Sequence, residues 1–223
     1  MQTLRLNFLT RIPHPAMKNY LQLNSSLHGA DAQSSRLARQ FVAKLVQADR
    51  SAEPSAATAR VSVRDLASDP LPHLTAERFT AFVTAPAQRT AEQARIAGES
   101  DALVAELAAA DVIVIGLPMY NFGVPSTLKA YFDHVARAGV TFRYTAHGPE
   151  GLLRGKRAYV IATRGGRHAG TPGDLQSAFV RQFLGFVGIT DVEFIYAEGL
   201  AMGEESRAAS LADAGKRIEQ LAA

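Results

Sequence analysis

The stretch DVIVIGLPMYNFGVPSTLKAYFDHV, Asp111 to Val135, reads as a strand, a turn and a helix with almost nothing between them. Asp111–Pro118 is a nearly continuous apolar run, the pattern of a parallel strand covered on both faces. Pro125 suits the first position of a helix, where a missing N–H costs nothing. Leu128, Tyr131, Phe132 and Val135 then recur at the spacing of one buried helical face. A plain strand-to-helix turn needs only glycine or a small polar cap. The segment between the two prolines instead offers flat apolar surface together with backbone donors, which suggests a planar, partly polar ligand.

Working outward, the same alternation of strand and helix recurs. NYLQLN (Asn19–Asn24) reads as a first strand, and Ala38, Phe41, Val42 and Leu45 as one face of the helix after it. RVSVRD (Arg60–Asp65) is a short second strand. A helix is expected from about Thr90 to Ala110, although Gly98 weakens it. Beyond Val135, residues 139–156 make a long excursion with hairpin character. RAYVIAT (Arg157–Thr163) and DVEFIYAEG (Asp191–Gly199) are the last two strands, with Leu175, Ala178, Phe179, Phe183 and Phe186 as a helical face between them and a final helix after them. Five strands alternating with five helices, and no internal repeat, define an α/β domain: an open parallel sheet with helices on both faces. Such sheets bind ligands at the carboxyl ends of their strands, where the strand order reverses.

Composition narrows the function. Of 223 residues, 47% are hydrophobic and 20% charged with both signs mixed, which supports one compact domain and argues against extensive disorder. The formal charge is +3, but no dense Lys/Arg cluster is interleaved with aromatics, so the footprint of a nucleic-acid binder is missing. There is no cysteine, which excludes disulfides, thiolate catalysis and cysteine-ligated metals and leaves any redox chemistry to a cofactor. The histidines show no metal-like spacing with carboxylates, so no metal site is expected. No apolar run approaches the roughly 18 residues of a membrane span, and residence in the cytoplasm follows by default. Residues 1–16 lack a small-residue cleavage site and read as an extension ahead of a domain at 17–223, with Met17 an alternative start.

Three loops converge at the carboxyl rim of such a sheet. NSSLHGADAQSS, after the first strand, sets serines and Gln33 around Gly29 just ahead of a helix. Hydroxyls, backbone N–H groups and a helix N-terminus form a phosphate cradle without a lysine. The same loop also reads as an ordinary polar turn with Ser34 or Ser35 as helix cap. Neither a P-loop nor a G-x-G-x-x-G fingerprint is present. In the second loop a ring can lie against Met119, Tyr120 and Phe122, while Asn121 donates and accepts. In the third, TRGGRHAG, Gly165 and Gly166 allow close backbone approach, and Arg164 with adjacent N–H groups suits developing negative charge.

At these loops the chain resembles the FMN-dependent NADH:quinone oxidoreductases, the bacterial FMN-dependent NADH-azoreductase family of flavodoxin-like proteins. The resemblance runs from Met17 to the C-terminus and is strongest over Asp111–Lys156; VRDLASDPLP, TRGG and FLGFVGITDVEFIYAEG also match. It implies a five-stranded sheet ordered 2-1-3-4-5, one FMN per subunit, and a homodimer whose interface helps build two active sites. Carried over by position, it implies Ser26, Ala32, Gln33 and Ser34 at the ribityl phosphate. Met119, Tyr120, Asn121 and Phe122 would contact the isoalloxazine, with Thr163, Arg164, Gly165 and Gly166 near its pyrimidine side. The family often has serine where this chain has Ala32, so only a backbone N–H serves there; Thr163 also replaces a frequent serine but keeps the hydroxyl.

The implied activity is two-electron, ping-pong transfer from NADH or NADPH to quinones in one shared slot, with reductive cleavage of azo compounds to amines in two rounds. No side chain is an obvious general acid, so water is the expected proton source, with Tyr120 and His168 as weaker candidates. The competing expectation is a flavodoxin-type FMN electron carrier with no substrate pocket of its own, a role that usually goes with an acidic partner-binding face.

Overall fold

The computed structural model describes residues 17–52 and 59–223. The sheet is built from β1 (Asn19–Asn24), β2 (Arg60–Asp65), β3 (Val112–Pro118), β6 (Arg157–Thr163) and β7 (Asp191–Ala197). It is five-stranded with the order β2-β1-β3-β6-β7, and all four strand pairs are parallel. Counting only these strands gives 2-1-3-4-5, the order expected. Between β3 and β6 the chain makes an antiparallel hairpin, β4 (Phe142–Thr145) with β5 (Gly148–Gly151).

The helices are α1 (Gln33–Ala52), α2 (Ala76–Val83), α3 (Ala91–Ala109), α4 (Ser126–Val135), α5 (Leu175–Val187) and α6 (Glu204–Ala222). Strand alternation divides the core between two faces. Ile113, Ile115 and Leu117 of β3 point to the side covered by α3, α4 and α5. Val112 and Val114 point to the side covered by α1 and α6. This explains why β3 is apolar at every position: both neighbours of every residue are protein. β2 is one of the two edge strands and keeps Val61 and Val63 exposed.

Two local expectations need correction. Pro125 is not the first helical residue but the cap before it, with φ −52° and extended ψ, and α4 begins at Ser126. The face of α5 is also rotated. Its fully buried positions are Gln176, Val180, Leu184 and Val187, whereas Leu175 is 65% exposed. Phe179, Phe183 and Phe186 are only partly buried. Phe183 stacks on Phe132 of α4, and Phe186 tilts against Phe142 of the hairpin. The large aromatics therefore form a lateral seam to neighbouring elements, and smaller residues face the sheet.

Candidate active site

The three loops meet at the carboxyl ends of β1, β3 and β6. Ser25 fastens the first loop to β3, its N–H and hydroxyl both donating to the Gly116 carbonyl at 3.2 and 2.7 Å. The Ser26 hydroxyl lies 2.9 Å from the Tyr120 hydroxyl, joining the first loop to the second. The Met119 N–H donates to the Thr163 carbonyl at 3.0 Å, joining the second to the third. The Phe122 ring meets the His168 ring edge-on at 5.9 Å.

In the first loop the helix begins at Gln33, two residues earlier than a Ser34 cap requires and three earlier than a Ser35 cap. Both serines lie inside the first turn of α1, and neither is the cap. The Ser35 hydroxyl turns back to the Gly29 carbonyl at 2.8 Å. The Ser34 hydroxyl is buried with no partner. The first chain-internal N–H bond of this turn is Arg36 to Ala32, so the N–H groups of Gln33, Ser34 and Ser35 are the open donors of a helix N-terminus. No acidic residue occupies that first turn. An unpaired buried hydroxyl in the same turn as three open N–H groups suits an anion. Gly116 of β3 makes room for it: a Cβ there would lie 3.2 Å from Ser34 C and O.

The second loop is a tight hairpin. Tyr120 and Gly123 exchange both backbone hydrogen bonds, at 3.3 and 3.0 Å. Asn121 and Phe122 between them have φ of 49° and 65°. Positive φ at both central positions is the pattern of a type I′ turn, which asparagine tolerates and phenylalanine resists. The strain holds the Phe122 ring outward, 64% exposed, so it is not a core aromatic. Gln176 clamps the turn from below, its Nε2 donating to the carbonyls of Pro118 (2.8 Å) and Gly123 (3.0 Å). Beside the turn opens a cleft of about 550 Å³ lined by His73, Phe122, Val124, Lys129, Leu175 and Phe179 among others.

In the third loop the structure departs from expectation at Arg164. Its side chain is completely buried and already paired, with Asp174 at 2.7 Å and Glu198 at 2.9 Å. Its N–H is used as well, donating to the Ala197 carbonyl at 2.9 Å. The guanidinium therefore stands behind the loop rather than in it. Burial by itself would raise the Asp174 carboxyl, but hydrogen bonds from Arg164 and Ser177 outweigh it and hold the group below its ordinary value. Gly165 and Gly166 remain at the surface of the loop, and among the described residues their N–H groups have no protein acceptor.

Ser26, Gln33, Ser34, Tyr120, Thr163, Gly165 and Gly166 are thus gathered at one rim, with Ala32, Met119, Asn121 and Phe122 in the same loops. Sequence reasoning passed over Gly116, Gln176, Asp174 and Glu198. Glu198 carried a readable signal, a carboxyl just past the carboxyl end of a buried strand. Gln176 carried none, because its partners are carbonyls far away in the chain.

A parallel sheet in this order, with an anion cradle after β1 and a strained aromatic turn after β3, defines a flavodoxin-like nucleotide-binding protein. The family model described as flavodoxin-like fold matches residues 18–222. FMN-dependent NADH:quinone oxidoreductase 6 of Burkholderia lata is 54% identical over 202 residues, covering 91% of this chain and 98% of that protein. The FMN-dependent NADH:quinone oxidoreductase of Paraburkholderia phymatum is 53% identical over the same length and coverage. An FMN-dependent NADH-azoreductase from Bacillus anthracis, solved in complex with FMN, superposes with a TM-score of 0.80 at 25% identity, covering 92% of this chain and 98% of that one. The chain belongs to the FMN-dependent NADH:quinone oxidoreductase family.

Proposed function

We propose that this protein is an FMN-dependent NADH:quinone oxidoreductase that also reduces aromatic azo compounds. The observation that carries the reading is the buried, unpartnered Ser34 hydroxyl in the same helical turn as the open N–H groups of Gln33, Ser34 and Ser35. A phosphate monoester satisfies all of them at once. When bound, FMN supplies two-electron transfer between a nicotinamide and a quinone, chemistry that the side chains of this chain do not provide.

The chain's own residues bind and orient. Ser26, Gln33 and Ser34, with the open N–H groups of the first turn of α1, would hold the phosphate; the Ala32 N–H, expected to share in this, is instead donated to the Gly29 carbonyl at 3.3 Å. Met119, Tyr120, Asn121 and Phe122 would support the ring, and Thr163 with the Gly165 and Gly166 N–H groups would serve its pyrimidine side. Arg164 acts from behind this loop. The cleft beside Phe122 admits one flat substrate at a time, so nicotinamide and quinone alternate in it and the kinetics are ping-pong. Tyr120, whose hydroxyl is hydrogen-bonded to Ser26, and His168, at the edge of Phe122, are the side chains placed to pass a proton, along with water.

The same reading includes a homodimer. Leu175 and Phe122 stand exposed at the cleft, and Tyr144 on the β4–β5 hairpin is 75% exposed, so apolar groups remain for a second subunit to cover. Cytoplasmic residence also belongs to it: NADH is a water-soluble co-substrate, and among the described residues no helix is long and apolar enough to cross a membrane.

The purified protein, after addition of FMN and removal of the excess, is expected to show flavin absorption near about 370 and 450 nm. It is also expected to consume NADH steadily with benzoquinone and no partner protein. Lack of flavin retention removes the reading, and flavin retention without turnover leaves the electron carrier instead. Light scattering after size exclusion checks the dimer.

A further inference from the structure

The buried cluster behind the third loop does more than hold the chain. Arg164 has no exposed side-chain surface. Its Nη1 donates to Glu198 Oε1 at 2.9 Å, and its Nη2 to Asp174 Oδ1 at 2.7 Å and the Ser177 hydroxyl at 2.8 Å. The same Glu198 oxygen accepts the N–H groups of His168 and Ala169, each at 2.9 Å. One carboxylate oxygen thus ties the start of the loop to its far side.

The loop backbone is oriented by a second set of bonds. The carbonyls of Arg164, Gly165 and Gly166 accept the N–H groups of Leu200 (3.1 Å), Ala201 (3.0 Å) and Gly199 (2.8 Å). In a trans peptide the C=O and the following N–H point in opposite directions. The N–H groups of Gly165, Gly166 and Arg167 are therefore turned away from residues 199–201, and among the described residues none has a protein acceptor. Three successive N–H groups turned the same way and free of protein acceptors are donors available to negative charge. The cluster beneath them holds one fully buried guanidinium against two partly buried carboxylates, an excess of one negative charge.

We propose that Glu198 is a positioning residue, which fixes the Gly165–Arg167 N–H groups through Arg164 and the 168–169 backbone and, by its charge, lowers the electron affinity of the ring they face. This inference rests on FMN binding at the loop. Reduction adds negative charge to that ring, and a partly buried carboxylate behind the donors opposes it. Removing the carboxylate's charge then favours the reduced form.

The test is the midpoint potential of bound FMN in Glu198→Gln, which keeps an oxygen for the His168 and Ala169 N–H groups but loses the charge. Reduced FMN is expected to gain at least about threefold in affinity relative to oxidised FMN, read as an upward shift of the potential. Asp174→Asn removes the other carboxylate and leaves the Glu198 bonds intact, so it serves as the second variant, with a shift in the same direction. A wild-type potential in the FMN-loaded variants overturns the inference. Failure of the wild-type protein to bind FMN overturns the underlying reading instead, and is seen before any variant is made.

Discussion

At the scale of single residues, the site shows where stability has been exchanged for binding. Ser34 buries a hydroxyl with nothing to bond. Such a group costs about 1–3 kcal/mol when left unsatisfied. Ser34→Ala is therefore expected to leave the FMN-free protein as stable as wild type or more so, while weakening FMN about tenfold; melting curves and a fluorescence titration read the two halves separately. Phe122 makes the same trade through its backbone, with φ at 65°. Asparagine accepts that conformation more readily, so Phe122→Asn should stabilise the FMN-free fold by roughly 1 kcal/mol and lower turnover with quinones. A loss of stability in that variant would mean the ring packs more than its 64% exposure suggests. The residue types of both loops were legible in the sequence. The unpaired hydroxyl and the positive φ were not, since each depends on neighbours brought together by the fold.

At the scale of elements, contacts without side chains decide the placement. A Cβ at Gly116 would press on the backbone of Ser34. The first turn of α1 must then retreat by a few tenths of an ångström, and Gly116→Ala is expected to weaken FMN about tenfold with little change in melting temperature. The hairpin is held more severely. A Cβ at Gly151 would overlap the backbone of Val187 and Gly188, the C-terminal end of α5, where Gly188 itself has φ of 104°. Gly151→Ala is expected to detach the hairpin, seen as faster proteolysis within residues 139–156. The hairpin itself was readable as an excursion between two strands. Its docking partner was not, and neither was the rotation of α5, because the aromatic stripe marks a seam between elements rather than the sheet-facing side.

For the molecule as a whole, acid is the revealing variable. His134, in the last turn of α4, is buried, its Nε2 3.0 Å from the Pro72 carbonyl and its Nδ1 without a partner. Burial lowers its pKa below the ordinary 6.5, and the Pro72 carbonyl only partly opposes this. The fold thus refuses a proton that the unfolded chain accepts. Stability from this residue is complete above pH 6.5 and declines as pH falls below it. Denaturant midpoints of wild type should therefore fall on acidification from pH 6.5, and those of His134→Gln should fall less. Asp174 contributes in a separate window. Its carboxyl is held below 3.8, so its share is present above that pH and is lost only as pH falls further.

The sequence by itself determined the alternation of strands and helices, the apolar centre of the sheet and the three loops at its rim. Those features follow from local periodicity and turn chemistry, which a run of neighbouring residues carries. Only the tertiary structure decided that Arg164 stands behind its loop, because Glu198 lies 34 residues away and complete burial is a property of the packed whole. A charge that looks free along the chain is neutralised once folding brings carboxylates to it, and the donors left for a ligand are the backbone N–H groups those carboxylates hold in place.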